Sequence, residues 1–206
     1  MARKTKEEAL RTKQKLLDSA LEIMSERTYA SISMTEIAER IGYSKGAIYW
    51  HFRNKHDILI SLVDYVCAKY EQELEKIAKG ESLNGLRHYF MEKLSMPLHN
   101  MTFTKLHKLL RHRSEWPRDV DEKVIDMLVE RISREREAVE NLFRRMQKEG
   151  KIKESIDAGE AAGLICAILQ GIFMFQLEDN FYKMDFSKHV NTIIDAFEKE
   201  LSPVKS

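Results

Sequence analysis

Helix breakers are scarce in this 206-residue chain, which holds 8 Gly and 3 Pro. With Leu, Ile, Met, Ala, Lys and Glu abundant, a mostly helical protein is expected. Cysteine is almost absent too. Cys67 and Cys166 stand in neither a metal spacing nor a CxxC pair, and their apolar surroundings point to buried, reduced thiols. No apolar stretch follows the basic opening Met1-Ala2-Arg3-Lys4-Thr5-Lys6, so it does not read as a signal peptide. The longest apolar stretch, Ala161–Leu177, is interrupted by Gln170 and Gln176 and is marginal for a membrane span. A cytoplasmic protein without membrane attachment is the expectation. There is no nucleophile–base pair in a recognisable setting, no Gly-rich phosphate loop and no internal repeat. His88, His99, His107 and His112 are scattered, and no carboxylate or Cys completes a metal set. The reading is therefore of a non-enzyme with no catalytic residues, no metal and no cofactor.

What is present is an apolar fraction of 43%, enough for a core, and a net charge of only +1 that is unevenly spread. Residues 1–56 carry 11 Lys/Arg against 7 Asp/Glu, and residues 57–206 carry 23 against 26. A basic head on a slightly acidic body suits one end that faces a polyanion.

Helical spacing of Leu10, Leu17, Ala20, Leu21 and Met24 predicts an amphipathic helix over residues 8–27. Ser33-Met34-Thr35-Glu36 reads as a capping box that opens a short helix through Ile41, and Gly42 ends it. Ser44 caps a second short helix, Lys45–Phe52, and Asn54 caps a long one to about Lys79. Helices follow over about Leu83–Ser95, over a segment to about Arg113 that Pro97 starts or precedes, over 119–149 before Gly150, over 157–178 with Asp157 as cap, and from Phe186 to Leu201. On the 119–149 helix Val120, Val124, Leu128, Ile132, Val139, Leu142 and Met146 are expected inward.

Two short helices joined by a Gly-containing turn make a helix-turn-helix. The second helix opens on small residues, Ser44, Gly46 and Ala47, which let its start approach a phosphate or base edge. Lys45, Arg53 and Lys55 surround it with positive charge. Ile48 and Phe52 face inward, which leaves Tyr49, Trp50 and His51 on the outer side. Three consecutive rings in a basic helix have no purpose on a merely solvated face.

The run from Ser33 to Leu59, with Ile37-Ala38, Gly42, Ser44-x-Gly46, Ile48-Tyr49-Trp50-His51-Phe52, Lys55 and Leu59, resembles the DNA-binding signature of the TetR family of transcriptional regulators. The opening residues 3–9 and the phrase Gly46–Phe52 resemble its AcrR-type branch, whose members often repress multidrug efflux pumps. The resemblance implies that Ser44, Lys45, Gly46 and Ala47 meet the major groove. It implies that Tyr49, Trp50 and His51 contact phosphates or bases, and that Ser33, Thr35 and Lys55 contact phosphates. Arg3, Lys4 and Lys6 add a flexible basic arm, on charge alone. The chain departs from the family pattern at Thr28, where Gly is frequent, at Ile32, where Thr is frequent, and at Ile41, usually a small residue.

The expected architecture is all-α, with about nine helices: a three-helix DNA-binding head, residues 1–54, and a helical ligand-binding and dimerisation domain, residues 55–206. The resemblance implies a ligand-responsive repressor, held on double-stranded operator DNA as a homodimer and released by a small lipophilic inducer. A fatty acid or acyl-CoA sensor, for which Lys105, Lys108, Arg111 and Arg113 would form a basic entrance, is the alternative, as is a DNA binder with no inducer. Gly163, Ala167 and Gly171 recur every four residues, a smooth stripe for close packing with another helix at the dimer interface. Candidate ligand contacts are Tyr65, Phe90, Phe103, His107, Met127, Phe143, Gln170, Phe173 and Met174, with Tyr70, Met91 and Glu178 beside them.

Overall fold

The structure is a computed structural model that describes residues 2–68, 77, 82–176 and 186–203. Nine α-helices are described: α1 Ala2–Met24, α2 Met34–Glu39, α3 Lys45–His51, α4 Lys55–Ala68, α5 Leu83–His99, α6 Met101–Arg111, α7 Arg118–Lys148, α8 Ala158–Gln176 and α9 Phe186–Leu201. Two 3-10 turns, Tyr29–Ser31 and Arg113–Glu115, complete them. Helix α1 runs back through residues 3–6, so the segment expected as a flexible arm is helical. The expected extension of α4 to Lys79, and the candidates Tyr70 and Glu178, lie outside the described residues. Pro97 does not divide α5 from α6. It falls in the last turn of α5, where its missing N–H costs one ladder bond, and the break comes at Asn100 instead.

The chain forms two compact units, Met1–Lys69 with Met101–Leu128, and Tyr70–Asn100 with Val129–Ser206. This division follows packing. The boundary expected at residue 54 separates roles and is a different cut.

In the first unit α1 packs on α2, α4 and α6, and α2 packs on α3. Leu16, Leu17, Ala20, Leu21, Met24, Ile37, Ile48, Phe52, Leu59 and Leu62 are buried there. Leu10 is not part of this core; it is 57% exposed, and the buried stripe of α1 begins at Leu16. The Ser19 hydroxyl donates to the Ile37 carbonyl (2.9 Å), satisfying a buried hydroxyl while fixing α1 to α2. Lys105 of α6 pairs with Glu22 of α1.

In the second unit α5 packs on α8 and α9. Arg87 holds α9 through Asn191 (2.9 Å) and Asp195 (2.6 Å). Gly150, at φ +68°, closes α7: its N–H donates to the Gln147 carbonyl and that of Lys151 to the Met146 carbonyl. Asp157 caps α8 as expected, accepting from the Glu160 amide (2.8 Å), and that bond holds its carboxyl below the usual range. Val139, Leu142 and Met146 of α7 are buried, but Ile132, expected inward, is 47% exposed, as is neighbouring Val129.

Candidate nucleic-acid interface

The helix-turn-helix is built by caps. The Ser33 hydroxyl accepts from the Glu36 amide (3.1 Å) and opens α2. The box is only half closed, because the Glu36 carboxylate pairs with Arg27 instead of reaching back to Ser33. At the turn Gly42 adopts φ +74°, a conformation that side chains with a Cβ rarely take. The Tyr43 N–H then reaches the Ala38 carbonyl (3.0 Å) and the Gly42 N–H the Glu39 carbonyl (3.0 Å), so the orphan carbonyls of α2 are satisfied. Two residues later the Ser44 hydroxyl accepts from the Ala47 amide (3.3 Å) and opens α3. Asn54 caps α4 through the Asp57 amide (2.8 Å).

Caps and core together decide which face of α3 is free. Ile48 and Phe52 are fully buried, so Trp50, 72% exposed, and Tyr49, 48% exposed, stand in solvent. The Trp50 and His51 rings meet edge to face, centroids 4.5 Å apart, and Lys45 lies 5.8 Å from the Tyr49 ring centroid. Gly46 is exposed, and a Cβ built there would meet nothing closer than Ser44 Oγ at 3.7 Å. Packing therefore does not require glycine at this position. Lys13 of α1 was not foreseen at this surface. Its charge, after partial burial, lowers the pKa of His51. No spacing rule ties α1 to α3, so only the tertiary structure reveals it.

Ser33, Ser44, Lys45 and Gly46 are exposed, and Thr35, Ala47 and His51 half-buried, on these capped elements. Lys55 differs. The resemblance puts its ammonium on a phosphate, whereas here the ammonium donates to the Tyr29 and Ile32 carbonyls.

The candidate ligand residues divide between the units. Tyr65, Phe103, His107 and Met127 belong to the first and are half-buried. Phe90, Phe143, Gln170, Phe173 and Met174 belong to the second. Three of these five converge on one residue that the sequence did not flag, Lys93. Its ammonium donates to both oxygens of Glu135 (2.6 and 2.8 Å) and to Gln170 (3.0 Å), and lies 5.9 and 5.4 Å from the Phe90 and Phe173 ring centroids. Phe143 is core and Met174 is exposed. A signal for Glu135 did exist: it stands eleven residues after Val124 and four before Val139, on the buried register of α7. Desolvation, then Glu135, pushes the buried Cys166 thiol up to about 12, which makes it inert. A cleft of about 210 Å³ in the second unit is lined by Leu83, Met146, Ile152 and Leu201 among others, and by none of the candidates.

A capped helix-turn-helix with an exposed aromatic and basic second helix, on a chain whose described elements are all helical, is the build of a DNA-binding regulator. Residues 16–62 match the family model for bacterial regulatory proteins of the tetR family. Over 119 residues the chain is 37% identical to the HTH-type transcriptional regulator AcrR of Shigella flexneri, a match that covers 56% of this chain and 55% of that protein. The chain thus spans little more than half the length of the curated relatives it matches. NalD, the secondary repressor of a multidrug efflux pump in Pseudomonas aeruginosa, superposes with a TM-score of 0.74 at 22% identity, over 97% of this chain and 100% of NalD. The SmeT–triclosan complex superposes with a TM-score of 0.76 at 23% identity, over 94% and 93%. These likenesses establish a shared fold. Residues 16–62 are a domain of the tetR family of bacterial regulatory proteins.

Proposed function

We propose that the chain is a cytoplasmic transcriptional repressor that binds operator DNA as a homodimer and is released by a small lipophilic inducer, in control of a multidrug efflux system. In this reading residues 1–54 bind DNA, and residues 55–206 bind the inducer and dimerise. The observation that carries the reading is the free face of α3. Tyr49 and Trp50 are displayed to solvent beside Lys45, while Ile48 and Phe52 anchor the helix from behind. Ser44, Lys45, Gly46 and Ala47 enter the major groove; Tyr49, Trp50, His51, Ser33 and Thr35 contact bases or phosphates.

Dimerisation is supported by α8. Its buried side carries Ala162, Ile165, Cys166, Leu169 and Phe173, yet its other side is also apolar, with Leu164, Ile168, Met174 and Phe175 exposed. Among the described residues, Cβ atoms built at Gly163 and Gly171 would meet nothing within 4 Å, which leaves the small-residue stripe Gly163, Ala167, Gly171 open to another helix. A second copy of α8 is the proposed occupant. Two recognition helices held about 34–36 Å apart then enter successive major grooves, and an inducer that prefers another spacing lowers operator affinity by its differential binding. The inducer class draws on the efflux-pump repressor NalD and the triclosan complex of SmeT. The acyl-CoA entrance is weakened by Lys105, whose charge is already paired with Glu22.

Fluorescence anisotropy on labelled DNA from upstream of the chain's own gene, with and without a lipophilic cationic dye, tests this. Tight, salt-sensitive binding that the dye releases is expected. Binding indifferent to the dye would sink the drug-sensing part, and no specific binding would sink self-regulation.

The same assay run against pH has an expected sign. In the free protein burial and Lys13 hold the His51 pKa below its ordinary value, which favours the neutral imidazole. A phosphate beside it favours the charged form. DNA binding therefore takes up a proton, and affinity rises as pH falls from 8 toward 6. His51→Gln should flatten that profile; an unchanged slope would remove the phosphate from His51.

A further inference from the structure

We infer that Lys55 is a positioning residue for DNA binding, one that sets the start of α2 from within the head. The inference rests on the DNA-binding reading above and changes the role that the family resemblance gives this lysine. The ammonium donates to the Tyr29 carbonyl (2.5 Å) and to the Ile32 carbonyl (2.8 Å) and lies 4.2 Å from the Tyr29 ring centroid. Two of its three N–H groups thus go to the protein's own backbone, and its charge rests on a buried π face. Burial also lowers its pKa from the ordinary lysine value, as expected of a cation turned inward.

The two carbonyls are not arbitrary. Tyr29 opens the 3-10 turn Tyr29–Ser31, and Ile32 is the extended residue that closes it. The Ile32 carbonyl shares its peptide plane with the N–H of Ser33, the cap of α2. One ammonium therefore clamps both ends of the 3-10 turn between α1 and α2 and fixes the peptide from which α2 starts. Lys55 is itself the first residue of α4, four positions after the end of α3. The clamp thereby joins the start of α2, which carries the proposed phosphate contacts Ser33 and Thr35, to the chain leaving the recognition helix. The connection is also where this chain departs from the family pattern, at Thr28 and Ile32. Ile32 is buried, and its carbonyl accepts from the ammonium.

Lys55→Met keeps the apolar stem and removes every donor. Operator affinity is measured against salt for the wild type, Lys55→Met, Thr35→Val and the double variant. Lys55→Met is expected to bind about tenfold more weakly, the worth of two lost hydrogen bonds. Its log–log salt slope should equal that of the wild type, and Thr35→Val should cost less in the Lys55→Met background than alone. A slope lower by about 0.9, with additive losses, is the signature of a lost phosphate contact and would overturn the inference. Unchanged affinity would also overturn it. Amide hydrogen exchange reads the clamp without DNA: faster exchange at Ser33–Glu36, with α5–α9 unaltered, is expected in Lys55→Met. If the wild type binds no duplex, the DNA-binding reading falls by itself and exchange decides the clamp. Lost protection at Ser33–Glu36 then supports it, and unchanged protection refutes it.

Discussion

Leu164→Glu combined with Ile168→Glu should turn the proposed dimer into a monomer and cut operator affinity by about two to four orders of magnitude. Both residues lie on the exposed apolar side of α8, beside the stripe of Gly163, Ala167 and Gly171. In a lone protomer the two glutamates are solvated and cost the fold little. In an α8–α8 contact four carboxylates enter one desolvated, close-packed surface with no cation to meet them, and that cost far exceeds the apolar contact it replaces. The loss of affinity follows from geometry. A dimer places its second recognition helix at an effective concentration set by the first, and a monomer must bind each half-site independently. Sedimentation velocity gives the mass, anisotropy the affinity, and Thr192→Glu, at an exposed position of α9, serves as the charge control. A double variant that sediments as the wild-type dimer would remove α8 from the interface.

That face illustrates where sequence reading reaches its limit. The head was legible because its signals are local. Ser33, Ser44 and Asn54 each bond the amide three residues on, and Gly42 supplies the positive φ, as their spacing in the sequence implies. Ile48 and Phe52 inward, with Tyr49 and Trp50 outward, follows from period alone. Helix α8 carries no such signal, since it is apolar all round, and only packing separates Ile165 from Leu164. Ile132 failed for a related reason: α7 keeps one apolar register along its whole length, but its surroundings change along it. The ligand candidates were chosen by side-chain type, which cannot tell that Phe90, Gln170 and Phe173 converge while Phe143 serves the core. Lys93 goes unflagged because a lysine in a helix reads as a solvated charge until its tertiary partners are known.

Lys93→Met should destabilise the second unit by about 3–5 kcal/mol, more than the pair itself contributes. Lys93 and Glu135 keep only 13% and 10% of their side-chain surface exposed. Removing the ammonium leaves the Glu135 carboxylate in an apolar setting, with Phe90 and Phe173 where its counter-charge stood and the Gln170 oxygen without its donor. The penalty is therefore that of an uncompensated buried charge. Lys93→Met with Glu135→Leu removes both charges at similar volume and should recover most of the loss. Denaturant unfolding of the four proteins, wild type, both singles and the double, gives the coupling directly. Strong non-additivity identifies the network as a closed unit within the fold; additive losses near 1 kcal/mol would mean that water reaches the pair and that the site is open. The distinction bears on induction. An open site leaves Glu135 and the ring faces of Phe90 and Phe173 accessible to a lipophilic cation, so the double variant would lose its response to such a dye while keeping its operator affinity. A closed network instead braces α5, α7 and α8, and its removal would alter stability and leave dye release intact.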